Sequence, residues 1–249
     1  MTEQLPTKLE NEPLIDAIFE LRFSSSDSAA NILPGFLFGA LKGEKKIERL
    51  PAAEMPKQLR DSDPNLQFAP QIRLLWSDYV ISIGDHNLSI GCKYPYPGWD
   101  AFKKAILGIV DVIKSIQFIQ AVNRFSMKYI DIIPAKDLQE QVSLINTSIA
   151  IGGHTLEKEH FALRIDIPEG ETIHIVNVTS SAVAKLQDGS TRNGIIVDID
   201  TIAAVHNQEF GQWIGELPEK LDETHLANKK MFFKCLNPQT VDSLGPVYE

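Results

Sequence analysis

Hydrophobic and polar residues alternate in "PLIDAIFELRF", the segment that runs from position 13 to position 23. At a period of two, one face carries Asp16, Ile18, Glu20 and Arg22, and the other carries only apolar residues. Those apolar residues are Ile15, Ala17, Phe19, Leu21 and Phe23. A helical spacing would scatter the phenylalanines and leave no continuous polar side. The pattern therefore predicts a strand with one face in the core and a charged face outside.

A helical period takes over in "GWDAFKKAILGIVDVIKSI", at positions 98–116. Large apolar residues recur there every three or four positions, and Lys103, Lys104, Asp111 and Lys114 take the opposite side. The apolar residues are Trp99, Phe102, Ile106, Ile109, Val110, Ile113 and Ile116. Such a stripe is typical of a helix that packs on a sheet, so we predict a long amphipathic helix here.

Shorter patterns predict the elements between these two. Positions 24–43 indicate a turn followed by a helix, with Pro34 in its first turn or at a kink. The stretch 43–70 is rich in charge and proline, which predicts a long connection without elements of its own and the most mobile part of the chain. Three strands separated by short polar turns predict an antiparallel meander. They lie at 71–77, 79–84 and 87–94.

The same order of elements begins again after the long helix. "FSMKYIDII" at 125–133 resembles "FELRF" at 19–23, and a short helix candidate follows at 135–146. Three strands then come at 161–167, 172–178 and 194–200, before a last helix from about Leu217 to Leu236. The sequence therefore predicts an internal duplication of strand, helix, three antiparallel strands and long helix.

This duplication defines the predicted fold class, α+β, with two antiparallel sheets, separate or joined edge to edge, that are each packed by a long helix. TATA-binding-protein-like and helix-grip-like folds have this kind of architecture. The first repeat would span residues 1–120 and the second residues 121–249, and the two would pack as one compact unit.

Net charge narrows the range of partners. Among the 249 residues, 33 acidic and 24 basic side chains give a formal charge of −9. Because this field repels phosphate backbones and anionic lipids, we expect neither nucleic acid nor a membrane as the main partner.

The sequence shows no signal-peptide pattern and no membrane-length apolar run, and we expect Cys92 and Cys235 to be reduced thiols. These features predict a cytoplasmic protein.

The strand "VDID" supplies the main catalytic candidates, Asp198 and Asp200, which lie on one of its faces. His174 and Asp166 lie on strands that should neighbour it. Carboxylates two positions apart can share a hard cation such as Mg²⁺, which allows a metal-dependent hydrolase or nuclease as one hypothesis. The alternative is that these side chains form the solvent side of a half-polar sheet. Since the spacing fixes no third ligand, we expect no metal.

His225 is a second candidate, because the spacing of the last helix turns it and Asn228 toward the core. Imidazole titrates near neutral pH, so His225 could act as a general base while Asn228 orients a ligand. A buried histidine that only forms structural hydrogen bonds is more common. The sequence favours this structural role.

Other catalytic signatures are missing. "GDHNLSIG" and "IGGHT" lack the strand-to-helix context and the lysine of a phosphate-binding loop. No Gly-x-Ser-x-Gly motif is present, and the histidines and cysteines lack the spacing of zinc ligands. We therefore expect no cofactor, and the sequence favours a protein without enzymatic activity.

Charged side chains recur on the predicted strands and supply the candidate binding residues. These are Glu20, Arg22, Lys128 and Arg164. Asp131 and Asp166 could pair with them across strands. Exposed ion pairs contribute less than about 1 kcal/mol each, so stability alone does not explain them. The ladder is either a solvated exterior or a surface that binds a partner.

Four segments spread over nearly the whole chain carry a resemblance. They are "NEPLIDAIFELRF", "YPGWDAF", "RFSMKYID" and "LDETH". Together they resemble a sporadically distributed bacterial family of about this length, which begins with an Asn-x-Pro-Leu/Ile-x-Glu/Asp-Ala-x-x-Glu-Leu/Ile-Arg-Phe signature. The family has no established activity. Its distribution implies an accessory role, such as a component of a bacterial defence or toxin–antitoxin module.

Two hypotheses about function follow. The first is a non-enzymatic cytosolic interaction or sensing protein that binds a protein partner, a second copy of itself or a small ligand. The second is a metal-dependent hydrolase or nuclease that uses Asp198, Asp200 and His174. The identity of the partner, the oligomeric state and the role of His225 do not follow from the sequence.

Overall fold

The computed structural model describes residues 4–186 and 189–248 and has the predicted α+β class. The strands are β1 Lys8–Leu9, β2 Leu14–Ser25, β3 Lys45–Arg49, β4 Ile72–Trp76, β5 Tyr79–Ile83, β6 Asn87–Cys92, β7 Ile119–Pro134, β8 Ala150–Ile151, β9 His154–Thr155, β10 Ala162–Glu169, β11 Thr172–Lys185, β12 Thr191–Glu209 and β13 Pro246–Val247. The helices are α1 Ala29–Ala40, α2 Lys57–Ser62, α3 Trp99–Lys114, α4 Leu138–Leu144, α5 Phe210–Cys235 and α6 Pro238–Ser243, with a short 3₁₀ helix at Pro51–Glu54. Within the described ranges, none of the helices combines the length and apolar character needed to span a membrane.

The main sheet follows the strand order β10-β11-β12-β7-β2-β6-β5-β4-β3 in the described part of the chain. The predicted meander is confirmed, because β5 pairs in antiparallel fashion with β4 on one side and with β6 on the other. Strands β2 and β6 are also antiparallel, with Glu20 opposite Ser89 and Arg22 opposite Asn87. The register of this last pair positions the site described below.

Two compact units divide the chain, and each combines segments from distant parts of the sequence. Unit 1 comprises residues 1–16, 128–201 and 225–249, and unit 2 comprises residues 17–127 and 202–224. The chain passes from one unit to the other inside β2, β7, β12 and α5. The order of the main elements is the one predicted, whereas the duplication itself, with its boundary near residue 120, stays a prediction.

In unit 2, the alternation of β2 and the stripe of α3 build the core as predicted. Ala17, Phe19, Leu21 and Phe23 are buried, while Glu20 and Arg22 on the other face are half-buried. The fully buried residues of α3 are Phe102, Ile106, Ile109, Val110 and Ile113. Trp99 and Ile116, at the two ends of the stripe, are only half-buried. Helix α1 packs against α3 and against β4 and β5.

The prediction of an unstructured connection at 43–70 is wrong. Strand β3 pairs in antiparallel fashion with β4, and α2 is fixed by the buried Arg60, which forms an ion pair with Asp85 at 2.9 Å. Both elements depend on partners that are distant in the sequence. For this reason the local pattern of charges and prolines did not reveal them.

Several elements are longer than the sequence predicted. Strands β11 and β12 continue well beyond 178 and 200, and α5 begins at Phe210 rather than near Leu217. The carboxylate of Glu209 accepts hydrogen bonds from the backbone N–H groups of Gly211 and Gln212 at 2.9 and 2.8 Å. Glu209 thus accepts from backbone N–H groups that have no hydrogen-bond partner within the first turn of a helix. This explains why α5 begins at Phe210.

In unit 1, a cluster of buried apolar side chains joins β11 and β12 to the C-terminal part of α5. It contains Ile133, Ile145, Val176, Val178, Ile195, Val197, Ile199, Met231, Phe232, Leu236 and Leu244. Gly194 lies so close to β7 that a Cβ atom there would be 2.0 Å from the carbonyl oxygen of Ile133. A side chain at this position would therefore force the two strands apart.

Candidate functional site

A groove of about 390 Å³ opens in unit 2 beside the charged face of β2. It is lined by Arg22, Phe23, Ser24, Ser25, Gln67, Phe68, His86, Asn123 and Arg124. We refer to it as the arginine groove. Its lining combines two guanidinium groups with hydroxyl, amide, imidazole and phenyl groups, so it offers charged, polar and aromatic contacts to a ligand.

Strand geometry explains why the charged groups meet at this place. Because side chains alternate along β2, Glu20 and Arg22 lie on the face opposite the buried Phe19 and Leu21. Strand β7 is the other neighbour of β2 in the sheet and contributes Arg124. The groove is therefore formed mainly by strands of a packed sheet, which hold its side chains more rigidly than loops would.

The carboxylate of Glu20 lies between the two arginines. Arg22 Nε donates to Glu20 Oε1, and Arg124 Nη2 donates to Glu20 Oε2, both at 3.1 Å. Asn87 Nδ2 contacts Glu20 Oε1 at 3.4 Å. The Glu20 side chain is 19% exposed and each arginine side chain 25%, so water screens these pairs less than it would on an open surface.

Arg22 is also fixed by an aromatic ring. The centre of its guanidinium group lies 3.9 Å from the centroid of the Phe68 ring, a cation–π geometry. Its Nε atom is occupied by Glu20, whereas no described residue accepts a hydrogen bond from Nη1 or Nη2. Arg22 thus has a fixed position and keeps two nitrogen donors for a further acceptor.

Polar groups line the rest of the groove. Ser24 Oγ donates to Asn123 Oδ1 at 3.1 Å, and Ser25 Oγ donates to the carbonyl oxygen of Asp27 at 2.7 Å. The Ser25 hydroxyl also lies 3.4 Å from His86 Nδ1. These hydroxyl, amide and imidazole groups could contact a ligand held by the arginines.

The other two predicted binding residues lie in unit 1 and do not join this groove. Lys128 forms an ion pair with Asp198 at 2.9 Å, and Arg164 pairs with Asp166 of the same strand at 3.2 Å. Lys128 therefore pairs with Asp198 rather than with Asp131, and Arg164 pairs with Asp166 as expected but along one strand instead of across two. Of the four predicted binding residues, the structure brings together Glu20 and Arg22.

The predicted catalytic residues Asp198 and His174 lie on opposite faces of their strands. Asp198 and Asp200 alternate with the buried Val197 and Ile199, whereas His174 points into the core and contacts Thr201. Among residues 4–186 and 189–248, no group of three or more His, Cys, Asp or Glu side chains is arranged to hold a metal ion. The structure does not assemble these residues into one site.

His174 belongs to a buried polar network instead. Its Nδ1 lies 2.9 Å from Thr201 Oγ1, and the Nδ2 group of Asn228 donates to the same oxygen at 2.9 Å and to the carbonyl oxygen of Ile199 at 2.8 Å. Burial lowers the pKa of His174, since an imidazolium ion would be poorly solvated there. The neutral ring fits a structural role in the core of unit 1.

His225 and Asn228 have separate partners, although both lie on α5. His225 Nδ1 is 2.8 Å from the hydroxyl oxygen of Tyr129, and their rings are 5.6 Å apart, whereas Asn228 contacts β12. The contacts of Asn228 are those of a side chain that fixes α5 to the sheet. The role of His225 stays a prediction.

Asp131 in unit 1 is buried, which the sequence pattern did not indicate. Only 7% of the residue is exposed, and burial raises the pKa of its carboxyl group well above the ordinary range, with further increases from Glu12 and Asp198. No described side chain donates a hydrogen bond to it. Ionised Asp131 would therefore lack both solvation and a charged partner.

This environment leads to a prediction for Asp131→Asn. Because the pKa is raised in the folded state, the wild-type protein should lose stability as the pH rises above the unfolded value of about 3.9. The asparagine of the variant cannot ionise, so the stability of the variant should not fall with rising pH for this reason. At pH 8 we expect it to be more stable than the wild type by at least about 1 kcal/mol, measured by urea denaturation.

Asp166→Asn provides the matched control, because Asp166 is an exposed aspartate in the same unit. Its effect on the free energy of unfolding should stay within about 0.5 kcal/mol at each pH. A variant Asp131→Asn that is less stable than the wild type at pH 8 would show that the carboxylate is ionised and stabilising.

Sequence reasoning missed Arg124, Phe68 and His86. Arg124 follows "AVN" before the segment "FSMKYIDII", so β7 was predicted to begin after it, whereas the strand begins at Ile119. Phe68 and His86 lie in connections, where no periodicity indicates a direction. The charged residue at 124, directly before the first residue of the predicted strand, was the available signal.

Comparisons with protein-family models and with curated proteins give no relative from which a role could be transferred. No protein-family model matches the chain, and no curated protein matches it. The function must therefore be inferred from the arrangement of the residues.

Proposed function

We propose that this protein is a non-enzymatic binding protein, acting in interaction or sensing, and that the arginine groove is its binding site. The observation that carries the proposal is the pair Arg22 and Arg124, held against one carboxylate at the edge of an open groove. A binding site gives a direct reason for this arrangement, because it needs charged groups in fixed positions.

The cellular setting is a further part of the proposal. The resemblance to a sporadically distributed bacterial family supports a cytosolic accessory component of a defence or toxin–antitoxin module. Sensing fits such a role, since a module of this kind must respond to a molecular signal. The groove supplies a place where that signal could bind.

Affinity purification from the cell of origin tests the proposed function. The tagged wild-type protein and the variants Arg22→Gln and Arg124→Gln are purified at moderate salt, and proteins and small molecules in the eluates are identified by mass spectrometry. We expect a species that is recovered with the wild type and lost with both groove variants.

Arg49→Gln is the matched control for charge, because Arg49 is an exposed arginine of the same unit that lies outside the groove and pairs with Glu54 at 3.2 Å. It should retain the bound species. Eluates that are identical for the wild type and the groove variants would contradict the proposal that the groove is the binding site. Circular dichroism and melting curves establish that each variant is folded.

A further inference from the structure

The arginine groove has the chemistry of an anion site, and this assignment rests on the proposed function. Among the described residues, two arginines and no acidic side chain line the groove, in a chain whose formal charge is −9. A local positive site on an acidic protein attracts small anions at short range, while the overall field repels long polyanions. The charge distribution therefore favours a small ligand with one concentrated anionic group.

The geometry of the arginines also suits an anion. Glu20 occupies Arg22 Nε and Arg124 Nη2, and Arg22 keeps its two Nη atoms for another acceptor. A planar guanidinium group binds the paired oxygens of a phosphate or carboxylate through two parallel hydrogen bonds. The carboxylate of Glu20 acts as a positioning group, because it holds both arginines on one side of the groove.

The remaining lining indicates what surrounds the anionic group. Phe68 covers one face of the Arg22 guanidinium, and the Ser24 and Ser25 hydroxyls with His86 add polar contacts nearby. A volume of about 390 Å³ lies toward the small end of the range for ligand pockets, about 300–1,000 Å³. The groove thus has room for a metabolite-sized molecule.

We propose that the arginine groove binds a small anionic ligand whose phosphate or carboxylate group lies between Arg22 and Arg124. The ligand's anionic oxygens accept hydrogen bonds from the guanidinium groups, and its remaining atoms contact Phe68 and the serine hydroxyls. Phosphate and carboxylate share this recognition chemistry, and the experiment below separates them.

Isothermal titration calorimetry on the purified full chain tests the inference with two probes, inorganic pyrophosphate and citrate. The ionic strength is kept constant with sodium chloride, because surface electrostatics depend on salt. We expect at least one probe to bind the wild type. Tighter binding of pyrophosphate would assign a phosphate ligand, and tighter binding of citrate a carboxylate ligand.

Three variants show whether binding occurs in the groove. Arg22→Gln and Arg124→Gln each remove a charged donor, so the affinity should fall by about 10- to 100-fold. Arg49→Gln makes the same charge change at an exposed arginine outside the groove and should leave the affinity within about two-fold of the wild-type value. Arg22→Lys keeps the charge without the planar fork and should bind more weakly than the wild type.

Two results would overturn the inference. One is the absence of binding of either probe at concentrations up to about 10 mM, which exceeds the Kd of even a weak ligand site. The other is equal affinity of the wild type and the two glutamine variants, which would place the anion elsewhere. If the probes do not bind but the cellular species still depends on Arg22, the anion assignment fails while the proposed function stands.

Discussion

Replacing Arg60 by methionine is expected to lower the free energy of unfolding by about 3–5 kcal/mol, because it leaves a buried carboxylate without its charged partner. Arg60 Nε and Nη2 both contact Asp85 Oδ2 at 2.9 Å, and the two side chains are only 8% and 3% exposed. Arg60 Nη1 also donates to the carbonyl oxygen of Met55. Methionine fills much of the arginine's volume, so the loss reports mainly the unpaired charge.

Asp85 gives this prediction a pH dependence. Burial alone would raise its pKa, but the hydrogen bonds from Ser28 and Arg60 outweigh burial and hold the pKa of Asp85 below its ordinary value. A lowered folded-state pKa means that the carboxylate stabilises the wild type above about pH 4 and that this contribution is lost at more acidic pH. In Arg60→Met, the hydrogen bond and charge of Arg60 no longer offset the effect of burial on the pKa of Asp85. Protonation of Asp85 should therefore remove part of the variant's loss of stability. The difference between wild type and variant should therefore be smaller near pH 4 than at pH 7.5.

Urea denaturation at the two pH values measures both effects. The control is Arg49→Met, since Arg49 pairs with Glu54 at 3.2 Å on an exposed surface of the same unit. That change should cost less than about 1 kcal/mol. The double variant Arg60→Met/Asp85→Asn should recover part of the loss because it removes the unpaired charge. Equal, small losses for Arg60→Met and Arg49→Met would show that the buried pair adds no stability.

The Arg60–Asp85 pair also explains what sequence reasoning could and could not predict. The periods of β2 and α3 are local properties, so their bounds and buried faces followed from the residues themselves. Helix α2 is different, because it has six residues and is fixed by an ion pair with a residue 25 positions away. A local pattern contains no information about such a partner.

The candidate site shows the same distinction. Alternation along β2 placed Glu20 and Arg22 together on the polar face, and the structure confirms that they share it. The partner that makes this face a site, Arg124, comes from β7, and its proximity depends on the strand order. Strand order is set by the packing of the whole chain, so the groove could not be assembled from the sequence pattern alone.

Trp213 is a core residue that lies outside the last helix as predicted from the sequence, because that helix was expected to begin near Leu217. It lies on α5, before Pro218, and a proline usually belongs to the first turn of a helix. In the structure Trp213 is fully buried, stacked on Phe210 at 6.0 Å and in edge contact with Phe125 at 5.8 Å. Its Nε1–H group is buried without a hydrogen-bond partner among the described residues. The side chain therefore contributes through packing rather than through hydrogen bonding.

Replacing Trp213 by alanine is expected to lower the free energy of unfolding by about 3–5 kcal/mol, because a large cavity would remain between α5 and the sheet of unit 2. Trp213→Phe keeps an aromatic ring and removes the unsatisfied N–H donor, so its loss should be below about 1.5 kcal/mol. Phe36→Ala is the control, since Phe36 is 53% exposed in the same unit and should change stability by less than about 1 kcal/mol. Chemical denaturation of the three variants measures these differences. A loss for Trp213→Ala no larger than that of Phe36→Ala would show that α5 does not pack on the core of unit 2 through this residue.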